Sequence, residues 1–265
     1  MKIHPTAVID SSATVGADVE IGPYAVIGAQ VELGEGTVLH AHAILEGDVK
    51  MGPQNVVGYG CVIGAPPQDL GFRSGSASGV RIGVGNVFRE YCTIHRGSAE
   101  GTHTTIGDRC FLMVGAHVGH NCRIGNGVVI ANNCLLAGHV QIDDGAFLGG
   151  GTTFHQGMRV GRLVMTQGSS AFGKDIPPFL LAAERNFVFG INAVGLRRAG
   201  FSPADRDEIK RAFKLLYRSG LNTKQALATA EATEFGPIGR EFFAFTAEAR
   251  KRGIVPNRHA AGGED

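Results

Sequence analysis

An apolar side chain recurs at every sixth residue over most of the first 172 positions of this chain. At the overall hydrophobic content of 43%, chance would fill the first eleven of these positions roughly once in ten thousand trials. The period therefore constrains the fold more than any single motif does. The positions are Ile3, Ile9, Val15, Ile21, Ile27, Leu33, Leu39, Leu45, Met51, Val57 and Ile63, then Ile82, Phe88 and Ile94, and then Ile106, Leu112, Val118, Ile124, Ile130, Leu136, Ile142, Leu148, Phe154, Val160, Thr166 and Phe172, of which Thr166 alone is polar.

A period of six matches neither the 3.6 residues of an α-helical turn nor the alternation of a β-strand. It is typical of a chain that winds in short strands, three to a coil, with one large side chain per strand directed at the axis. Four residues after each apolar position the side chain is usually small, as at Ala7 and Ala25, and it should also point inward. Glycine often follows the apolar residue, as at Gly16 and Gly22, where we expect a tight corner. The repeat thus predicts a mainly β protein, a parallel β-helix.

All five cysteines fall in the small inward position, where a thiol packs as a compact hydrophobic group. They are Cys61, Cys92, Cys110, Cys122 and Cys134. Their number is odd and none forms a CxxC pair, so we expect neither disulfides nor a zinc site. The repeat starts at Ile3, which leaves no room for a targeting peptide, and no apolar run is long enough to span a membrane. These features predict a reduced, cytoplasmic enzyme or scaffold without a membrane span.

The repeat is interrupted twice before it ends. Residues 64–81 and 95–105 break the pattern, and we expect both to leave the coils as loops, where function tends to lie on a rigid solenoid. After Phe172 a helical period takes over, with a junction at Pro177–Pro178. The sequence therefore predicts a β-helix over 1–178, an α-helical domain over 179–256 and a disordered tail over 257–265.

Helix boundaries can be predicted within the second domain. Ser202 and Pro203, followed by Asp205, form a good helix start, and Gly220 a good stop. Two further helices are expected over about 222–235 and about 237–252.

Positive charge is concentrated in residues 185–224. This segment has nine basic residues and three acidic ones, within a chain of net charge +1. A local basic patch is typical of a surface that binds an acidic protein or phosphate groups, although a solvated helix face would look the same. Because the patch is confined to one segment and lacks interleaved aromatic residues, nucleic acid is not an expected partner.

Four histidines cluster in the later coils: His117, His120, His139 and His155. One coil takes eighteen residues, so position n stacks on position n+18, and His120 should lie beside the backbone of Gly138. A histidine facing an unhindered peptide N–H is a plausible general base next to an oxyanion donor. A metal site at His117 and His120, or histidines that merely decorate a strand, remain alternatives.

At these residues the sequence resembles the acyl-carrier-protein-dependent UDP-N-acetylglucosamine O-acyltransferases that begin lipid A biosynthesis. The resemblance covers nearly the whole chain and rests on an ordered series of motifs. They are PQDL (67–70), TIHRG (93–97), AHVGHNC (116–122), ANNCLLAGHV (131–140), HQ (155–156), KDIPP (174–178), GIN (190–192) and GLRRAGFS (195–202). It implies a left-handed β-helix, an exception to the usual right-handed crossover, and a homotrimer with active sites between subunits.

The resemblance also implies roles for individual residues, with acyl carrier protein and UDP-N-acetylglucosamine as partners and no metal or cofactor. His120 matches the general base that deprotonates the sugar 3-hydroxyl, and Gly138 the backbone N–H that holds the oxyanion. Gly168 matches the position that gauges acyl length, and the basic helices would dock the acidic carrier protein. Substrate contacts are implied for Gln68, Asp69, His117 and His139 near the glucosamine, and for His155, Gln156, Asn192 and Arg198 near the nucleotide and phosphates.

Three positions depart from the family pattern. Asn121 replaces the aspartate that usually follows the catalytic histidine, Gly71 replaces a lysine for which Arg73 is one candidate substitute, and Val194 replaces a glutamate. An asparagine oxygen can orient an imidazole but cannot stabilise an imidazolium by charge. The alternatives are therefore an N-acyltransferase acting on a UDP-2-acetamido-3-amino sugar and a non-catalytic or metal-binding hexapeptide-repeat protein. The related N-acyltransferase of the same pathway has an extra N-terminal domain, which a repeat beginning at residue three argues against.

Overall fold

The computed structural model describes residues 1–249 and 252–258 and shows three parallel sheets that form the faces of a triangular prism. Strands are numbered in chain order. The first face contains β1 (Lys2–Ile3), β4 (Glu20–Ile21), β7 (Val38–Leu39), β10 (Val56–Val57), β13 (Val87–Phe88), β16 (Phe111–Leu112), β19 (Val129–Ile130), β22 (Phe147–Leu148) and β25 (Met165–Thr166). The second contains β2 (Val8–Ile9), β5 (Val26–Ile27), β8 (Ile44–Leu45), β11 (Val62–Ala65), β14 (Thr93–His95), β17 (His117–Val118), β20 (Leu135–Leu136), β23 (Thr153–Phe154) and β26 (Ala171–Phe172). The third contains β3 (Thr14–Val15), β6 (Glu32–Leu33), β9 (Asp48–Met51), β12 (Gly79–Ile82), β15 (His103–Ile106), β18 (Arg123–Ile124), β21 (Gln141–Ile142) and β24 (Arg159–Val160).

Successive coils stack in register, as the eighteen-residue spacing predicts. His117 pairs with Leu135, and Val26 with Ile44. The offset grows only where the repeat is interrupted. Val56 pairs with Val87, 31 residues on, and Thr93 with His117, 24 residues on, because segments 66–78 and 96–102 leave the coil between strands. We call these the first and second excursions.

The prism interior is filled by the side chains that the period predicts to be inward. Large residues such as Ile63, Phe88 and Leu136 are fully buried, and the five cysteines, all free thiols, occupy the small inward positions between them. Thr166, the polar exception, is also fully buried, and its hydroxyl accepts a hydrogen bond from the Gly149 N–H at 3.0 Å. Only the first coil, at the end of the stack, leaves its large residue exposed, since no coil covers Ile3 from beyond.

The glycines that follow the apolar positions allow neighbouring coils to stack closely. At many corners the left-handed residue comes later, as at Asp18 and Tyr24, and neither Gly16 nor Gly22 is left-handed. A Cβ on Gly16 would lie 2.8 Å from the amide nitrogen of Glu35 in the next coil. Close stacking of coils therefore requires glycine at this position.

The chain leaves the prism through a β-hairpin before its helices begin. β27 (Leu180–Ala183) pairs parallel with β25 and antiparallel with β28 (Phe187–Ile191), so the first face extends by two strands. The sequence analysis assigned this stretch to the helical domain. Four helices follow: α1 (Ala193–Arg198), α2 (Pro203–Tyr217), α3 (Thr223–Glu231) and α4 (Pro237–Ala247).

Local capping explains the helix boundaries. Ser202 caps α2 in a reciprocal capping box with Asp205, as the sequence predicts, and Asn222 caps α3 in the same way with Gln225. Arg159 ties α4 to the β-helix, because its guanidinium reaches the buried Asp175, the Phe245 carbonyl and Glu248.

The end of the described chain returns to the hairpin. Asn257 is buried, and the Arg258 N–H donates to the Val188 carbonyl at 2.9 Å. The ordered chain thus continues two residues into the segment predicted to be a disordered tail, and positions 259–265 of that prediction lie outside the described residues.

Candidate active site

Both excursions and the central histidines lie at one edge of the prism, where the second face meets the third. The first excursion leaves after β11 and the second after β14, and the corner after β17 carries Gly119, His120 and Asn121 in the next coil. The corner after β20 carries Ala137, Gly138 and His139 one coil further on. Stacking alone therefore brings residues far apart in sequence to one edge.

A pocket of about 360 Å³ opens at this edge. Its walls include the predicted residues Gln68, His117, His120, Gly138 and Gln156. Leu135, whose side chain points outward, supplies apolar surface on the second face. A cleft lined by histidines and glutamine amides next to an apolar surface can hold a polar group and an aliphatic chain together.

Each of the two ring nitrogens of His120 has a defined neighbour. Its Nδ1 lies 2.9 Å from Oδ1 of Asn121, and a Cβ added to Gly138 would collide with Nε2. The side chain is only 8% exposed, and its ring meets that of His139 edge-on at 5.0 Å between centroids. The Nε2 atom therefore faces the Gly138 backbone, as the stacking rule predicts.

The N–H of Gly138 has no acceptor among the residues that the structure describes. The same corner position holds proline at Pro5, Pro23 and Pro53, which shows that the coil does not use this N–H. Gly138 differs from those corners in having an imidazole beside it. Its N–H is free to donate to an oxygen that approaches Nε2 of His120.

The buried His95 and the half-buried His117 form a second pair next to His120. Their rings meet edge-on at 5.0 Å between centroids, and the Thr93 hydroxyl lies 2.7 Å from Nδ1 of His117. Burial, followed by repulsion from His117 and His120, lowers the pKa of His95 to about 4. Burial also lowers the pKa of His117. Both imidazoles are therefore neutral at pH 7.

A pH dependence of stability follows from His95. In the unfolded chain its pKa is near 6.5, so between pH 6.5 and 4 the unfolded state binds more protons and the folded state loses stability as the pH falls. Between pH 7 and 5, we expect the free energy of unfolding of wild type to fall by about 1–2 kcal/mol more than that of His95→Gln. Urea denaturation at both pH values measures this, with His4→Gln as the exposed-histidine control. Equal losses in all three proteins would contradict it.

Three other predicted contacts, Asp69 and His139 for the sugar and His155 for the nucleotide, do not line the pocket. Asp69 lies on the first excursion, where its carboxylate accepts the Gly71 N–H at 2.8 Å. His139 is on the far side of His120. His155 is exposed, and its Nδ1 contacts Arg252 and the Gln156 carbonyl. Gln156, which was also predicted to contact the nucleotide, does belong to the pocket wall, together with Gln68 and His117.

Asn192, Arg198 and Gly168 lie away from the pocket within one chain. Asn192 caps α1, since its Oδ1 accepts the Gly195 N–H and its Nδ2 donates to the Leu163 carbonyl. Arg198 is exposed at the end of α1. Gly168 is at the opposite edge of the second face, where a Cβ would lie 3.0 Å from the Gly150 carbonyl oxygen. One subunit therefore does not unite all the residues that the resemblance implies.

Three residues of the site were not singled out from the sequence. His95 lines the pocket, Thr93 contacts His117, and Ser98 donates to Oδ1 of Asn121 through both its N–H at 3.0 Å and its hydroxyl at 2.9 Å. The available signal was the TIHRGS run itself, which contains all three.

Within residues 1–249 and 252–258, no group of three or more His, Cys, Asp or Glu side chains is arranged to hold a metal ion. In the same residues, no helix has the length and apolar content needed to cross a bilayer.

Comparison with known families agrees with this architecture. Residues 103–138 match the family of bacterial transferase hexapeptide repeats, and residues 175–255 match the second domain of UDP N-acetylglucosamine O-acyltransferases. Stacked hexapeptide coils with a histidine-lined corner thus place the chain in the class of hexapeptide-repeat acyltransferases.

Individual relatives narrow the class. The chain is 41% identical over 230 residues to the acyl-[acyl-carrier-protein]–UDP-N-acetylglucosamine O-acyltransferase of Syntrophobacter fumaroxidans, covering 86% of this chain and 89% of that one. The chain belongs to the family of acyl-[acyl-carrier-protein]–UDP-N-acetylglucosamine O-acyltransferases.

Solved structures support the same assignment. The UDP-N-acetylglucosamine acyltransferase of Francisella novicida superposes with a TM-score of 0.91 at 36% identity over 99% of both chains. That of Bacteroides fragilis superposes with a TM-score of 0.91 at 40% identity, covering 96% of this chain and 99% of that one. The predicted fold, a left-handed parallel β-helix of hexapeptide repeats followed by C-terminal helices, is confirmed.

Proposed function

We propose that this protein transfers a fatty acyl group from an acyl carrier protein thioester to the 3-hydroxyl of UDP-N-acetylglucosamine, the first step of lipid A biosynthesis. Membership of the family supports the reaction class. The observation that carries the proposal for this chain is the apposition of Nε2 of His120 with the unused N–H of Gly138, inside a pocket with one apolar side.

The chemistry assigns one task to each group. Nε2 of His120 takes the proton from the sugar hydroxyl as its oxygen attacks the thioester carbonyl carbon. The Gly138 N–H donates to the oxyanion of the tetrahedral intermediate. When the intermediate collapses, the C–S bond breaks, and the leaving thiolate takes the proton from His120. The products are a sugar ester and the carrier thiol, and the enzyme returns to its starting state.

The nature of the acceptor can be tested directly. Asn121 stabilises a protonated His120 less than an aspartate would, because its side chain is neutral. A weaker base would favour an amine acceptor over an alcohol, since a UDP-2-acetamido-3-amino sugar is the better nucleophile. We expect the O-acylated product to dominate when both sugars are offered with a panel of acyl carrier thioesters. Mass spectrometry of the products measures this and gives the acyl length and 3-hydroxylation. Exclusive N-acylation would establish the alternative function, and no acylation of either sugar would refute acyl transfer.

The basic surface of α1 and α2 fits the acidic carrier protein. Arg197, Arg198, Arg211, Lys214 and Arg218 are exposed there. Lys210, also on α2, forms an ion pair with Asp207, so its charge is partly neutralised within the helix. The acyl chain would run across the second face, from Leu135 toward Gly168 at its far edge. Because Val194 replaces a glutamate and Gly71 a lysine, this chain offers the nucleotide fewer charged side chains than the family pattern does.

We also propose a homotrimer with the pocket at a subunit boundary. The outward side chains of the first face are apolar from the third coil on, and this row includes Val87, Phe111, Phe147 and Met165. The outward row of the third face is polar instead, as the Glu32–Lys50 ion pair shows. A site completed by a second subunit accounts for the separation of Asn192 and Arg198 from the pocket. The cytoplasmic location stays a prediction from the cysteines.

Assembly through the first face can be measured by sedimentation. Phe147→Glu is expected to shift wild-type trimer toward monomer, because it places a carboxylate in an apolar contact. Arg123→Glu, on the exposed third face, is the matched control and should remain trimeric. Wild type that sediments as a monomer, or Phe147→Glu that stays trimeric, would contradict this interface.

A further inference from the structure

Ser98 directs both of its hydrogen-bond donors at a single oxygen. Its backbone N–H and its hydroxyl lie 3.0 and 2.9 Å from Oδ1 of Asn121, across 23 residues of chain. Gly97 allows the second excursion to make this approach, since a Cβ there would collide with the Thr102 carbonyl. The excursion thus returns to the corner beside His120 instead of projecting into solvent.

This contact decides which end of the Asn121 amide faces inward. A backbone N–H can only donate, so the Asn121 atom beside it must be the oxygen and not the NH₂ group. A reversed amide would set N–H against N–H and leave the Ser98 donor unpaired. Ser98 therefore selects the orientation of the Asn121 side chain.

The orientation of the amide in turn decides where the His120 proton resides. The same Oδ1 lies 2.9 Å from Nδ1 of His120, and a carbonyl oxygen can only accept. Nδ1 must then carry the proton in the neutral ring, and Nε2 keeps a lone pair on the Gly138 side. Only this tautomer can take a proton from a group bound beside Gly138.

The backbone of Asn121 is anchored separately. It is left-handed, with φ of +59°, and its N–H donates to the hydroxyl of the fully buried Thr104 at 2.8 Å. That hydroxyl donates onward to the His95 carbonyl at 2.6 Å. Thr104 therefore fixes the position of residue 121, while Ser98 fixes the end of its amide that faces the histidine.

We propose that Ser98 is a positioning residue that sets the Nδ1–H tautomer of His120 by orienting Asn121. A carboxylate presents an acceptor at either end, so it needs no such selection. An amide has one accepting and one donating end, and the neutral Asn121 makes the serine necessary. The consequence for acyl transfer rests on the proposed function, whereas the tautomer is a property of the free enzyme.

The tautomer can be read by ¹⁵N–¹H correlation NMR of His120, assigned with His120→Ala. We expect the Nδ1–H form in wild type and Ser98→Thr, which keep both donors, and a modestly raised Nε2–H population in Ser98→Ala, which keeps only the backbone N–H. Ser98→Pro has neither donor and should raise the Nε2–H population further. In Asn121→Asp the Ser98→Ala change should no longer alter the tautomer. Ser12→Ala is the matched control, because Ser12 also directs its N–H and hydroxyl at one carboxylate oxygen, that of Asp10.

Kinetics give the second readout. Ser98→Ala should lower kcat about 3- to 10-fold with KM little changed, and Ser98→Thr should restore kcat. An Nε2–H tautomer in wild type, or a folded Ser98→Pro protein with the wild-type tautomer, would overturn the inference. Absence of acyl transfer by wild type with an Nδ1–H tautomer would instead refute the proposed function alone.

Discussion

His120→Ala is expected to lower kcat for acyl transfer by roughly 10²- to 10⁴-fold, the usual contribution of a positioned general base. The imidazole is the group whose Nε2 faces the free Gly138 N–H, and among the described residues the atoms nearest to a Cβ at that position all belong to His120. KM for the sugar nucleotide should change much less than kcat. Product formation from acyl carrier thioester and UDP-N-acetylglucosamine, followed by mass spectrometry, measures the loss.

Controls separate chemistry from folding. The melting temperature and oligomeric state of His120→Ala should stay near those of wild type, because the side chain lies at a corner and outside the apolar prism. His4→Ala, at the exposed first coil, should keep full activity. Activity of His120→Ala within about threefold of wild type would reject His120 as the base.

Gly138→Ala should reduce activity by about 10²-fold, the cost of displacing a catalytic group by about 1 Å. A methyl group at this position would collide with Nε2, Cε1 and Cδ2 of His120. The backbone of Gly138 is not left-handed, so alanine introduces no torsional strain of its own. The imidazole must therefore move, and the pocket loses the space beside the N–H that would hold the oxyanion.

Gly190→Ala is the matched control, since a Cβ there meets nothing within 4 Å and the residue is not left-handed. It should retain wild-type kcat. A crystal structure of Gly138→Ala is expected to show the His120 ring displaced from Oδ1 of Asn121. Full activity with the ring in place would mean that the pocket tolerates a side chain at 138, which the proposed oxyanion site does not allow.

The prism and the His120–Gly138 contact could be predicted because both follow from one rule. Inward positions recur every six residues and coils stack every eighteen, so a residue such as Leu136 can be assigned to the core and His120 to a neighbour in the next coil. The rule fails where the excursions change the offset. Gln68, His95 and Ser98 lie in or beside those segments, and spacing alone could not bring them to the pocket.

The hairpin over 180–191 was missed for a different reason. Its first strand reads LLAA, which favours a helix by intrinsic propensity. Pairing with β25 on one side and β28 on the other overrides this preference, and left-handed Glu184 and Asn186 close the turn. Asn192 and Arg198 were identified through family resemblance alone, because their proposed roles depend on a neighbouring subunit and not on any spacing within the chain.

A crystal structure with the acylated sugar nucleotide bound would test the central claim most directly. The ester oxygen on C3 of the glucosamine should lie about 2.6–3.2 Å from Nε2 of His120, with the acyl carbonyl oxygen at a similar distance from the Gly138 nitrogen. A product whose ester lies at another edge of the prism, or whose carbonyl points away from Gly138, would contradict the account.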